Sequence, residues 1–220
     1  MDKLLRFRKD FKEIYVGGRW WPIEASFEDT NPSDNSLWAT VPDVEVKDVQ
    51  NAITSADHAF ENWSNLKFNE RSHYMIKIAE VLEENKMDIV KALRAEAGGW
   101  FGKAMFEAGY LPELFHAAAA ANYQAIGEVI PSDSGKFSMA VRRPIGVISV
   151  ISPWNFPCIL TARGMAFALA AGNTVVLKPS EETPYTGGLL WAEIFEEAGV
   201  PGGVLNVVTC SRENVAEVGT

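Results

Sequence analysis

The chain has 220 residues, 47% of them hydrophobic, enough to bury a sizeable core as one large domain or two small ones. Its 29 acidic and 20 basic side chains leave a formal charge of −9, which repels nucleic-acid phosphates and anionic lipid headgroups, so neither nucleic acid nor a membrane surface is an expected partner. Two cysteines, Cys158 and Cys210, are too few for a disulfide framework and point to a reducing, cytoplasmic compartment, and His58, His73 and His116 lack metal-ligand spacing, so no metal is expected.

From Met1 to Tyr15, charges at Asp2, Lys3, Arg6, Arg8, Lys9 and Asp10 interrupt the apolar residues, unlike the unbroken apolar core of a signal peptide. No apolar run is long enough to span a bilayer. Residues 14–41 are rich in Gly, Trp, Pro, Asn and Asp, and Gly17-Gly18 between short apolar runs predicts a hairpin followed by an irregular loop. Val49, Ile53, Ala56, Phe60 and Trp63 then fall on one face of a first helix. Met75, Ile78, Ala79 and Leu82 mark a second, stopping at Asn85. Met87 to Ala97 reads as a third helix closed by Gly98-Gly99, and the Ala-rich stretch from Phe101 to Ile126 as a fourth. Together they form an N-terminal helical layer. Short strands are expected around Val129 and from Phe137 to Arg143, separated by the polar turn Ser132-Asp133-Ser134-Gly135.

The pattern changes at Pro144. Ile145 to Ile151 is an almost continuous β-branched run, which suits a strand buried on both faces of a parallel sheet. Phe156 to Ala171 reads as a helix with Pro157 in its first turn and Gly172 at its end. A strand at Thr174 to Leu177, a helix from Tyr185 to Ala198 and a strand at Val204 to Val208 complete a β-α-β-α-β unit. The expected fold is therefore α/β, a partial doubly wound, Rossmann-like parallel sheet with the helical layer before it. In such sheets ligands gather beyond the carboxyl ends of the strands. Three segments qualify: Ser152-Pro153-Trp154-Asn155-Phe156-Pro157, Lys178-Pro179-Ser180-Glu181 and Thr209-Cys210-Ser211-Arg212.

Taken from the residues alone, Asn155 is either a polar group at a strand end or the cap of the helix that follows it, and Lys178 and Glu181 are either ligands or solvated charges. The first two segments, in order and each after a buried strand, resemble the aldehyde dehydrogenase superfamily. So do Arg143-Pro144-Ile145-Gly146-Val147 and Ala170-Ala171-Gly172-Asn173. The tract Phe101-Gly102-Lys103-Ala104 and the ending Thr209-Cys210-Ser211-Arg212 are most similar to members acting on benzaldehyde-type aromatic aldehydes.

The resemblance implies oxidation of an aldehyde to a carboxylic acid. A cysteine thiolate adds to the aldehyde, hydride passes to NAD(P), and water hydrolyses the resulting thioester. It assigns Asn155 as the side-chain amide that stabilises the developing oxyanion. It gives Lys178 and Glu181 to the adenosine ribose hydroxyls, counts Ser180 among the cofactor-binding residues, and gives Ile151, Ser152, Pro153 and Trp154 to a wall of the cofactor cleft. A carboxylate at that edge favours NAD, while NADP stays possible because Lys178 can pair with a phosphate. Cys210 stands where the family commonly has glycine, and a side chain there limits backbone approach to a pyrophosphate. Cys158 lies in an apolar stretch, so a buried, inert thiol is expected.

By the same resemblance the catalytic cysteine, the general-base glutamate and most of the catalytic domain lie beyond Thr220. The 220 residues alone are then expected to be inactive, a truncated cofactor-binding portion. Residues 1–128 and 144–220 belong to a partial NAD(P)-binding domain, and 129–143 supply strands of an oligomerisation domain in a homo-oligomer. The alternative is a non-catalytic nucleotide-binding or self-assembling fragment. The strand ending at Val208 is expected to take further parallel neighbours, and its edge to stand open without them.

Overall fold

The computed structural model describes residues 11–218; the charged stretch Met1–Asp10, read above as unlike a leader, and the final Gly219-Thr220 lie outside the described residues. Two hairpins come first, β1 (Glu13–Val16) with β2 (Arg19–Pro22) and β3 (Ser26–Thr30) with β4 (Leu37–Pro42). Helices α1 (Val46–Asn65), α2 (Phe68–Glu84), α3 (Lys86–Ala95) and α4 (Phe101–Ala121) follow, then a hairpin of β5 (Gly127–Ile130) and β6 (Ser138–Val141). The alternating half comprises β7 (Val147–Ile151), α5 (Pro157–Ala170) and β8 (Thr174–Lys178). A π-helical turn at Tyr185–Leu189 then runs into α6 (Leu190–Glu197), and β9 (Leu205–Val207) and a short α7 (Val215–Val218) end the described chain.

The β-α-β-α-β reading holds: β7, β8 and β9 are parallel neighbours, with Ile151 opposite Lys178 and Leu177 opposite Val207. Every residue of β8 is buried, for a reason its sequence contains. Val175 and Leu177 point into the larger core with α4, α5 and α6, while Val176 points into a second core with Ile14, Ala52 and Ala56 under α1. A run of apolar residues thus serves two cores by simple alternation. Polar ties lock α1 onto this unit. The Trp63 indole N–H donates to the Leu169 carbonyl at 3.0 Å, and the Thr174 hydroxyl donates to the Ala56 carbonyl at 2.9 Å.

Three expectations are corrected. Residues 26–42, read as irregular, form the β3–β4 ladder from Ser26↔Pro42 to Thr30↔Leu37. The turn chemistry of Asn31-Pro32-Ser33-Asp34-Asn35, with Asn35 at φ 58°, masks two strands short enough to pass for loop. β7, expected to be buried on both faces, is the outer strand of the sheet, and only Val150 of its five residues is buried. A β-branched run announces a strand but does not say how many neighbours it has. Finally, the edge of β9 is not open: β1 pairs there antiparallel, through Tyr15↔Val207, where parallel neighbours were expected. Among the described residues the sheet order is β2-β1-β9-β8-β7.

The hairpin tip explains how β1 is held. Gly17 and Gly18 both have positive φ, 64° and 79°, the pair of left-handed residues that a tight hairpin turn requires. The Gly17 N–H donates to the side-chain oxygen of buried Asn206 on β9 at 2.9 Å, and a Cβ on Gly18 would stand 2.7 Å from the Gly202 Cα. The π-helical turn is tight in the same way, since a Cβ on Gly188 would stand 2.5 Å from the ring of Pro179. No helix among the described residues is long and apolar enough to cross a membrane.

Gly18→Ala combines backbone strain with a clash against main chain, and its expected cost is about 2 kcal/mol or more. Urea denaturation followed by tryptophan fluorescence checks this: the midpoint should fall with the slope unchanged, and an unaltered midpoint would show that the tip does not anchor β1.

Candidate functional site: a cleft at the strand ends

The register that sets Ile151 beside Lys178 brings the first two motif segments together at the carboxyl ends of their strands. There a cleft of about 510 Å³ is lined by Ile151, Ser152, Pro153, Lys178, Ser180, Glu181 and Val215. These include every cofactor residue expected from sequence except Trp154, which is 60% exposed and outside this lining. Val215, from α7, was not anticipated; a lone valine after a polar turn carries no signal.

Within the cleft the polar groups have distinct states. Lys178 is the last residue of β8 rather than the first after it, is largely buried, and donates from Nζ to the Pro179 carbonyl at 3.2 Å. The Ser152 hydroxyl is turned inward, 2.6 Å from the Thr161 hydroxyl of α5, so this serine offers the cleft its backbone rather than its oxygen. Glu181 is bound on both oxygens. Oε2 accepts from the Ser180 hydroxyl at 3.3 Å and Oε1 from the Arg212 Nε at 3.0 Å, while Arg212 Nη2 reaches Glu182 Oε1 at 2.9 Å. Partial burial opposes ionisation of Glu181, but its own backbone N–H, the Arg212 guanidinium and Ser180 hold the carboxyl below its ordinary range. The third segment is laced inward: the Thr209 hydroxyl donates to the Pro42 carbonyl at 2.7 Å, the Ser211 N–H donates to Asp43 at 2.9 Å, and Cys210 is buried.

Asn155 lies exposed in the turn between β7 and α5. It does not cap the helix; the capping position is Phe156, without a side-chain cap. The free amides are taken instead by Glu107 of α4, whose Oε1 accepts from the N–H groups of Cys158 at 2.8 Å and Ile159 at 3.2 Å. Lys103 approaches the other oxygen at 3.4 Å and lies 4.5 Å from the Phe156 ring centroid. Burial pushes the Glu107 carboxyl up, and Lys103 with the two amides only partly reverses that.

Glu96, at the end of α3, repeats the arrangement at the start of the π-helical turn. Fully buried, it accepts from the Tyr185 N–H at 2.7 Å and the Thr186 N–H at 2.8 Å, and also from the Thr186 hydroxyl. Asp29 of β3 faces it. With both carboxyls ionised Asp29 Oδ2 finds no donor; a proton on Asp29 makes one toward Glu96. Burial first, then the charge of Glu96, raises the Asp29 carboxyl far above its ordinary range, and burial raises Glu96 as well. Glu96 and Glu107 had a sequence signal that went unused, since an acid among apolar residues on a helix's inward face must find a partner.

Asp29 keeps its proton in the folded state and loses it in the unfolded chain above the ordinary pKa of 3.8. Its contribution to stability is complete below that value and is lost as pH rises through the raised range of the folded state. Asp29→Asn supplies a permanent donor. Thermal melts between pH 5 and pH 9 should show the wild type losing stability with rising pH and the variant losing less, with an advantage of about 3 °C or more at pH 9. Parallel pH profiles would count against the shared proton.

Both thiols are buried, as the apolar surroundings of Cys158 implied for that residue. Cys158 is fully buried, its Sγ 3.2 Å from the Thr186 carbonyl, and burial, followed by the charge of Glu107, pushes the thiol well up. Burial also raises Cys210, against the opposing pull of Lys178. Neither thiol should react with a disulfide reagent within minutes in the native chain, and both should after denaturation. Rapid native labelling of Cys158 would contradict this packing.

Comparison with known proteins shows the family. Residues 20–218 match the model of the aldehyde dehydrogenase family. The chain is 36% identical over 208 residues to rat mitochondrial succinate-semialdehyde dehydrogenase, covering 94% of itself and 40% of that enzyme. It is 37% identical over 214 residues to a Bacillus subtilis benzaldehyde dehydrogenase, covering 96% and 44%. Among solved structures, an NAD-dependent benzaldehyde dehydrogenase from Corynebacterium glutamicum superposes with a TM-score of 0.89 at 37% identity, covering 96% of this chain and 45% of that one. A salicylaldehyde dehydrogenase from Pseudomonas putida, complexed with salicylaldehyde, gives 0.91 at 31%, covering 96% and 44%. The chain belongs to the aldehyde dehydrogenase family, and it spans about two fifths of the length of the relatives it matches.

Proposed function

We propose that this chain is the N-terminal, cofactor-binding part of an NAD(P)-dependent aldehyde dehydrogenase that oxidises an aldehyde to a carboxylic acid. The observation that carries the reading is the convergence of Ile151, Ser152, Pro153, Lys178, Ser180 and Glu181 on one cleft at the carboxyl ends of parallel strands, with Asn155 exposed just beyond. The residues fit the adenosine end of a nicotinamide cofactor. The ammonium and carboxylate at the end of β8 match ribose hydroxyls, and the apolar face of Ile151 and Pro153 matches a flat ring. When bound, the cofactor accepts hydride from the substrate carbon.

Asn155 has the features of an oxyanion donor. Its side chain is free of the capping duty that Glu107 performs, so the amide N–H can be given to a carbonyl oxygen gaining negative charge, a role whose loss costs about 10² to 10³ in rate. The similarity to benzaldehyde and salicylaldehyde dehydrogenases supports an aromatic aldehyde as the substrate class. Homo-oligomerisation through residues 129–143 is supported by the β5–β6 hairpin, a sheet of its own whose Val129, Ile130, Met139 and Val141 are exposed.

With both thiols buried, residues 1–220 alone should bind NAD without turning over an aldehyde. Isothermal titration should give saturable NAD binding that Lys178→Ala weakens about tenfold. Absorbance at 340 nm should stay flat with benzaldehyde and NAD. Absent binding would remove the cofactor reading, and steady reduction of NAD by the pure chain would require a nucleophile within it.

A further inference from the structure

A second cleft, of about 670 Å³, lies at the sheet edge opposite β7, between the β1–β2 hairpin and α1. Its size is that of a small-molecule site, and it shares no residue with the cleft at the strand ends. The hairpin builds one wall. Ile14 pairs across from Trp21 and Val16 across from Arg19, so these four side chains share the face turned towards α1. The other wall is a stripe of α1, with Asn51, Ser55, His58 and Asn62 at helical spacing. One end is shut where the hairpin tip meets Gly202, a contact so close that neither Gly18 nor Gly202 has room for a Cβ. We propose that this cleft binds a planar aromatic carboxylate, with the ring stacked on Trp21 and the carboxylate held by Arg19.

Three observations select that ligand. The Trp21 indole N–H donates to the Val16 carbonyl at 2.9 Å, yet the residue is 52% exposed, so the ring is held in one orientation with surface left to cover. A flat ring is the partner such a surface takes. Arg19, in turn, makes no ion pair or side-chain hydrogen bond to any described residue, although the chain carries 29 acidic side chains against 20 basic ones. Its planar fork of donors matches a carboxylate in two-point contact. Finally, the wall opposite supplies amides rather than charge at that end. The side chains of Asn51, His58 and Asn62 are likewise unpaired among the described residues. The chain after β2 returns to the start of α1, where the Asp43 N–H donates to the Ala25 carbonyl at 2.9 Å, whereas the tip sets Gly17 against Ser55. The hairpin therefore runs along α1, with Arg19 at the His58 end. Asp48, the one carboxylate of the lining, is at the other end, about 15 Å along the helix from His58, and accepts from the Glu45 N–H at 2.9 Å as part of the α1 cap. A neutral ring would leave Arg19 unpaired, and a small anion would leave Trp21 bare. An aromatic acid satisfies both, and it is the kind of molecule that oxidation of an aromatic aldehyde releases; the site itself does not rest on the cofactor reading.

The test is a ligand-observed NMR titration of the 220-residue chain with sodium benzoate, benzamide and sodium acetate, the last two lacking the charge and the ring respectively. Benzoate should bind saturably, and each of the other probes at least about tenfold more weakly. Arg19→Ala should weaken benzoate about tenfold or more with the thermal midpoint unchanged. Asn62→Asp, on the exposed side of α1, puts a negative charge at the Arg19 end and should weaken benzoate to a similar degree. Lys178→Ala, in the other cleft, should leave benzoate binding within about twofold. Benzoate binding that survives both Arg19→Ala and Asn62→Asp, or that is lost in Lys178→Ala instead, would put the carboxylate elsewhere and overturn the proposal. So would benzamide binding as tightly as benzoate, or the absence of benzoate binding by the folded wild type.

Discussion

The constraint on which the rest of this structure depends is the need to satisfy the first amides of two buried helical segments. The segments after β7 and β8 begin in the interior, where unpaired N–H groups are costly. Water cannot reach them. Glu107 and Glu96, carried by the helical layer, supply the acceptors, and each carboxylate is in turn stabilised by the positive end of the segment it caps. Removing either would leave both a bare helix start and a cavity sized for a carboxylate. The two glutamates therefore fix how the helical layer sits on the parallel unit, and with it the position of the turns that form the cleft.

That solution shapes the ligand site. The start of the helix after the first strand is the usual place for an anion in a doubly wound sheet. Here a protein carboxylate already occupies it. The cleft is lined instead by side chains at and just beyond the strand ends, Lys178, Ser180 and Glu181 among them. The same internal cap leaves Asn155 without a structural task in the turn just before the helix.

Much of this was legible in the sequence. The faces of α1 and α2, the burial of β8 and the order of the parallel strands follow from periodicity and from apolar runs broken by Gly and Pro. The two motif segments come together because they lie at neighbouring strand ends, which apolar runs make easy to find, although Lys178 proves to be the last residue of its strand rather than the first after it. What was not legible is what depends on distant partners. Glu107 meets amides 51 and 52 residues away, and Glu96 meets amides 89 and 90 residues away. Nothing local in either helix says which amides those are. Nor could the outer position of β7, or the antiparallel pairing of β1 with β9, be read from their own residues, because neighbours in a sheet are chosen by the rest of the chain.

The glycine at 188 shows how a position well inside the fold can govern the cleft. The π-helical turn passes over Pro179 so closely that a methyl group on residue 188 would drive into the proline ring. Pro179 sits between Lys178 and Ser180, so the displaced atoms would be those that set the reach of the ammonium and the hydroxyl. A larger residue at this buried site would thus shift the lining of the surface cleft as well as disturb the fold, and the wide turn acts as a spacer whose thickness is measured in single carbon atoms.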